Sequence, residues 1–297
     1  SLSYTQVTMR LFLLTMPVNA FLNYIFIFGK LGAPAMGGPG AGLGTAITYW
    51  LLLLAFVLVV CRLRVFRAYQ VFDREKFAWR HIHEHLRIGI PMGVAIFMET
   101  AFFGVECLLV ARFGTITVAA NQAAMSFTNL LYMVPLSFSL SLTILVGAFV
   151  GAKDFRQAKA YSNTGRLTNF IVGSCFALLL FLGRPLIARL YTSDPQLVQP
   201  IMHFLTFAVG FQLCDSIAAP VQGILRGYKD VKATFYTALA AYWGIATPFG
   251  LFLDYVCHQE AGGYWVGLIT GIFFSAAFLS LRLRHVEKNV WEIAHTT

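Results

Sequence analysis

The chain has 297 residues, of which 58% are hydrophobic and 15% aromatic, and its mean hydropathy is +0.70. Only 12% are charged, about half the roughly 25% usual for soluble domains, which excludes an ordinary soluble globular protein. The formal net charge of +9 does not indicate a nucleic-acid binder, because the basic residues stand in short intervals beside apolar runs rather than on one face with stacking aromatics.

Crossing about 30 Å of hydrocarbon takes about 20 apolar residues in a helix. Runs of that kind lie at roughly 9–29, 39–61, 88–112, 120–149, 167–191, 198–224, 233–253 and 263–281. Lipid offers no partner to a backbone amide, so the expected fold is an all-α integral membrane protein with eight transmembrane helices. The first run carries Pro17, Asn19 and Asn23 and leads straight into further spans, unlike a cleaved signal peptide.

Lys and Arg are retained on the cytoplasmic side. With Arg10 inside and the spans alternating, eighteen of the 22 basic residues fall inside. The cluster from Arg62 to Arg87 is the largest, followed by Lys153 to Arg166, Arg226 to Lys232 and Arg282 to Lys288. Lys30, Arg112, Arg184 and Arg189 fall outside. Both ends of the chain are therefore expected in the cytoplasm. The five cysteines, Cys61, Cys107, Cys175, Cys214 and Cys257, show no paired or CxxC spacing and are expected as free thiols.

After the second run comes the longest polar interval, Arg62 to Arg87. It predicts a cytoplasmic linker with an amphipathic helix resting Phe72, Phe77 and Trp79 on the membrane surface. His81, His83 and His85 invite a metal reading, but residues two apart point to different helix faces, so a solvated segment is expected.

The third run carries Glu99 and Glu106. A charge at mid-bilayer costs about 2.5 to 3.5 kcal/mol even on insertion scales, so an acid there is expected to do a task. Glu99 is twelve residues beyond Arg87 and Asp215 eleven before Arg226. At about 1.5 Å per residue, both sit roughly 16 to 18 Å from the cytoplasmic side. Two carboxylates at one depth near the midplane suit a coupling-ion site. Around Asp215 a helical face runs through Gln212, Ser216, Ala219 and Gln222, and Pro220 releases a backbone carbonyl. Such hard oxygen donors suit Na⁺, and a carboxylate removed from water equally suits H⁺. Glu106, six residues from Arg112, is expected near the outer interface within reach of headgroups or water.

In the fourth run Gln122, Met125, Ser126, Asn129 and Met133 recur at helical spacing, placing amides beside soft apolar surface of the kind that lines a site for bulky amphiphiles. Packing between helices is the alternative use of the same face. The Gly-rich entry "MGGPGAGLGTAITYW" echoes "AGGYWVGLITGIFF" about 220 residues later, as a repeat would. On that offset the chain, which lacks an initiating Met, is expected to be the C-terminal portion of a longer protein, preceded by about 130 to 150 residues and four spans.

The stretches "PAMGGPGAG", "LRIGIPMGVAIFMETAFFG", "VAANQAAMSFTNLLYMVPLSFSLSLTILVGAFVGAKD", "GILRGYKD" and "GGYWVGLITG" run in order from Pro34 to Gly271. Together they resemble the multidrug and toxic compound extrusion (MATE) transporters, particularly the NorM-like branch. The resemblance implies twelve helices in two lobes, in the plasma membrane, that expel organic cationic drugs or dyes in exchange for Na⁺ or H⁺. Residues 1–64 would be the last two helices of the N-lobe, 65–86 the interlobe linker, 87–284 the six-helix C-lobe and 285–297 a cytoplasmic tail. Glu99 and Asp215 match the family's acidic cation-site residues. Phe211 departs from the tyrosine common one turn before that aspartate. The family's N-lobe aspartate would lie in the preceding helices. Gln122, Met125, Ser126 and Asn129 of the fourth-run face, with Phe211, Gln212 and Gln222 around Asp215, are the candidate substrate-lining residues, and no cofactor beyond the coupling ion is expected.

A lipid-linked oligosaccharide flippase of the same superfamily is the alternative, although Arg for a pyrophosphate is absent at mid-span. An enzyme is disfavoured by the absence of HExxH, GxSxG and paired-Asp motifs. A receptor or scaffold would not transport at all.

Overall fold

The computed structural model describes residues 5–32, 34–62 and 79–296, apart from the side chains of Thr5, Arg80, His81, Glu84, Ile88 and residues 290–296. Every element among them is helical: α1 (Thr5–Phe28), α2 (Gly38–Arg62), α3 (Trp79–Val110), α4 (Thr115–Gly151), α5 (Phe155–Tyr191), α6 (Pro195–Gly227), α7 (Val231–Leu239), α8 (Thr247–Tyr255) and α9 (Glu260–Thr296). A short 3₁₀ turn, Ala111–Phe113, follows α3, and a π-helical segment, Ala240–Ala246, joins α7 to α8. Seven helices, α1 to α6 and α9, are long and apolar enough to cross a membrane.

The segment expected as the seventh of eight spans, 233–253, is helical but not one helix. Two nine-residue α-helices flank the π turn. Pro248 gives a local reason, since it brings no N–H and its ring crowds the carbonyl four residues earlier. Thr247 instead sends its backbone N–H and its hydroxyl to the Tyr242 carbonyl, the latter at 2.9 Å. The interval 285–296, expected as a tail, continues α9. Phe72 and Phe77 of the expected amphipathic helix lie outside the described residues, and Trp79 opens α3 with an exposed side chain.

The chain forms two compact units, Ser1–Ala78 and Trp79–Thr297. In the first, α1 and α2 approach closely because Gly40 and Gly44 lie against the Phe26 carbonyl and Asn23. A polar ladder crosses the same contact, from Asn23 to Asn19 at 3.1 Å and from Asn19 to Thr48 at 3.2 Å. Without a hydrophobic drive between helices in lipid, close backbone approach and interhelical hydrogen bonds hold such pairs together.

In the second unit α6 is central, packed by α4, α5 and α9. Gly223 and Gly227 let α6 settle on Ser139 and Gly147 of α4. On α9, Gly267 and Gly271 receive the carbonyls of Ala246 and Ala241 from the π segment. The glycine-rich echo of the sequence thus marks intimate crossings in both units. A further repeat is local. "VGAKD" and "RGYKD" make the same turn, with Lys153 and Lys229 at φ 59° and 63° and the next Asp N–H closing on a carbonyl five residues back at 2.9 Å. Asp154 then caps α5 through the Gln157 N–H, while Asp230 pairs with Arg282 at 2.7 Å.

Replacing Gly223 by Val is expected to drive a side chain into the Ser139 backbone and to destabilise the α4–α6 pair by about 1 to 3 kcal/mol. Thermal unfolding in detergent, followed by tryptophan fluorescence, measures this; an unchanged transition would show that the helices can separate there without loss.

Candidate functional site

Glu99 lies half-buried on α3 and Asp215 is buried on α6, close enough for their charges to act on each other. The structure therefore brings together the two carboxylates that helical depth placed at one level. Tyr242, from the π segment, donates its hydroxyl to Glu99 Oε1 at 3.1 Å. The adjacent Trp243 donates its indole N–H to the Met98 carbonyl at 3.1 Å, tying the π segment to α3 beside the carboxylate. Tyr132 of α4 lies within the field of both acids, and Arg226 within that of Glu99. Asp215 Oδ2 is buried without a hydrogen-bond partner among the described residues. A buried, unpartnered carboxylate oxygen is ordinarily avoided, and persists where a proton or cation completes it.

Pro220 has the effect expected of it. Lacking an N–H, it leaves the Ser216 carbonyl without its intrahelical donor, although α6 runs on unbroken to Gly227. That carbonyl is not left open to an ion, because Asn169 of α5 donates its side-chain amide to it at 2.7 Å. Pro185 of α5 repeats the pattern, with Arg184 Nε donating to the Phe181 carbonyl at 2.9 Å.

The expected substrate-lining residues divide in two. Gln122, Ser126 and Asn129 share an exposed face of α4, with Met133 exposed and Met125 half-buried along it. Gln122 donates to Cys107 Sγ at 3.5 Å, and the Tyr191 hydroxyl reaches Ser126 at 3.2 Å. Phe211 and Gln212 are buried beside Asp215, and Gln222 is half-buried with its carbonyl oxygen 3.5 Å from Arg226. Gln212 is fully enclosed among the packed helices, with neither polar atom paired among the described residues. Phe211 brings no hydroxyl; the one on Glu99 comes from Tyr242.

Glu106 corrects its expected position. Instead of reaching headgroups or water it is 3% exposed, held by the Asn121 amide at 3.4 Å. Just beyond the C-terminus of α3 stands Arg112, which pairs with Asp254 and donates to Tyr255 at 2.8 Å and Tyr264 at 2.7 Å.

The sequence reading missed Tyr242, Tyr132, Asn169 and Arg226. Asn169 and the two tyrosines did carry a signal: each is a polar group within an apolar run, and each such group needs a partner at its own depth.

The MatE family pattern matches residues 91–252, which include both carboxylates and the π segment. The chain belongs to the MatE family. It is a multi-pass membrane protein. It is 44% identical to the probable multidrug resistance protein NorM of Bacillus subtilis strain 168, over 99% of this chain and 66% of that protein. In fold it is similar to a eukaryotic MATE transporter, with a TM-score of 0.82 at 20% identity over 95% of this chain and 63% of that one. It is similarly close to a Vibrio cholerae MATE transporter in its bent form, with a TM-score of 0.79 at 18% identity over 96% of this chain and 63% of that one. The chain thus spans a little under two thirds of the length of each of these MATE proteins.

Asn169→Ala is expected to strand the Ser216 carbonyl beside Asp215 and to destabilise the protein by about 1 to 3 kcal/mol, with Asn169→Gln restoring part of the loss. Unfolding midpoints of the two variants test this assignment, and equal midpoints to the unsubstituted protein would refute it.

Proposed function

We propose that the chain serves secondary active multidrug efflux, in which organic cations leave the cell in exchange for Na⁺ or H⁺. The observation that carries the reading is the pair Glu99 and Asp215: two carboxylates on different helices, the first half-buried and the second buried, within each other's field, with Asp215 Oδ2 lacking a partner among the described residues. A site of this kind holds one more negative charge than its surroundings balance, and a monovalent cation or a proton relieves it. The name of the Bacillus relative supports the drug as cargo.

The mechanism follows from competition for that charge. With Na⁺ at the two carboxylates, or a proton on them, the site is neutralised and has little hold on a cationic drug. Release of the ion restores the negative charge and favours the drug. The ion and the drug then favour different arrangements of two lobes, which is alternating access. The exposed α4 face through Gln122, Met125, Ser126 and Asn129 offers amides and soft apolar surface to a bulky amphiphile. Phe211, Gln212 and Gln222 would meet it only after a rearrangement around α6.

On this reading eight spans are present, the segment 231–255 counting as one. Residues 1–64 belong to one lobe, 65–86 link the lobes, 87–284 form the second lobe of a twelve-helix transporter in the cell membrane, and 285–297 lie in the cytoplasm with the other inner segments. The remaining helices of the first lobe, the bilayer, and cationic drugs or dyes are its partners.

In vesicles carrying the transporter, ethidium movement is expected under an imposed Na⁺ gradient or an imposed pH gradient, and Asp215→Asn is expected to abolish the gradient-driven component while leaving membrane insertion intact. Efflux that persists undiminished in that variant would move coupling away from this carboxylate.

A further inference from the structure

Glu106 lies seven residues beyond Glu99 on α3, about two turns or 10 Å along the helix, and has no part in the reading above. Its surroundings come from four helices. Phe102, Val105 and Leu109 flank it on α3, and Asn121 faces it from α4. Thr247 of α8 and Tyr264 of α9 border the same small cavity, which is at the lower limit of what a single water needs.

The direction of each polar bond is settled by chemistry. The Trp265 indole N–H is a donor only, and it takes Asn121 Oδ1 at 2.8 Å. Asn121 must therefore present its amide donor to Glu106, which it does at 3.4 Å, a long bond. Thr247 gives its hydroxyl proton to the Tyr242 carbonyl and keeps lone pairs to accept. Tyr264 gives its proton to Asp254 at 2.7 Å and accepts from Arg112. Arg112 and Asp254, both bonded to Tyr264, are paired with each other. None of the residues lining the cavity is cationic.

A carboxylate enclosed in apolar walls with one long neutral hydrogen bond is a costly species. A protonated carboxyl fits the same place: its carbonyl oxygen accepts from Asn121, and its O–H points into a cavity where the Thr247 oxygen or a single water accepts. We propose that Glu106 is a second proton-binding carboxyl of this protein, occupied in the arrangement seen here and separate from the pair Glu99 and Asp215. On release the bond broken is the Glu106 O–H, and water entering the cavity takes the proton.

Infrared difference spectra of the transporter in lipid, recorded through steps of pH, test this directly by the carbonyl stretch of a protonated carboxyl. A band from a buried acid is expected at neutral pH, lost in Glu106→Gln and kept in Glu99→Gln and Asp215→Asn. Spectra of Glu106→Gln identical to the unsubstituted protein at every pH would overturn the proposal. Should the Gln variant fail to fold, Glu106→Asp serves instead: a shifted band supports the assignment, and an unmoved band refutes it. These spectra are independent of any transport assay, so failure of the coupling reading leaves them unaffected.

Discussion

Every backbone or side-chain polar group that a membrane protein removes from water needs a partner within the protein, and most of this structure follows from that demand. It explains why the described elements are helices, and it explains the details where helices depart from regularity. Where Pro220 and Pro185 remove an N–H, Asn169 and Arg184 supply side-chain donors to the freed carbonyls. Where Pro248 interrupts the seventh apolar run, the Tyr242 carbonyl collects both the N–H and the hydroxyl of Thr247. The groups that escape this rule are then conspicuous. Among them Asp215 Oδ2 and both polar atoms of Gln212 are enclosed on one helix turn without partners among the described residues, and Asn169 Oδ1 on α5 is another. All three residues lie within the family pattern at 91–252.

The same demand separates what the sequence made legible from what it did not. Apolar run length is a property of the chain alone, so seven spanning helices could be read directly, and the rise per residue placed Glu99 and Asp215 at one depth. Lateral position is not a property of one helix. Distance to Arg112 suggested that Glu106 reaches headgroups or water, whereas Asn121, Trp265 and Tyr264 close around it from two other helices. Gln212 is on the expected face of α6, but that face turned out to be interior. Pro220 signalled a released carbonyl, whereas its taker, Asn169, lies 47 residues away in the chain. The π turn escaped notice because hydrophobic periodicity does not resolve a change of a single residue in the helical repeat.

Helix contacts in the second unit are divided by kind. Glycines carry the close crossings, α6 on α4 and α9 on the π segment, where small residues allow backbones to meet. Aromatic side chains with polar tips carry the contacts around the acids: Tyr242 and Trp243 on α3, Trp265 on Asn121, Tyr264 between Arg112 and Asp254. A glycine crossing fixes distance, while an aromatic with a polar tip fixes a direction. The acids are thus met by buried polar tips mounted on a frame of close helix crossings.

The π segment joins these two kinds of contact on consecutive residues. Ala241 turns its carbonyl to Gly271 of α9, and Tyr242 turns its hydroxyl to Glu99 of α3. Because Gly271 leaves no side chain to cushion the approach, α9 sits directly on the backbone one peptide away from the tyrosine. The segment therefore shares one short stretch of backbone between the close α9 crossing and the hydrogen bond on the Glu99 carboxylate.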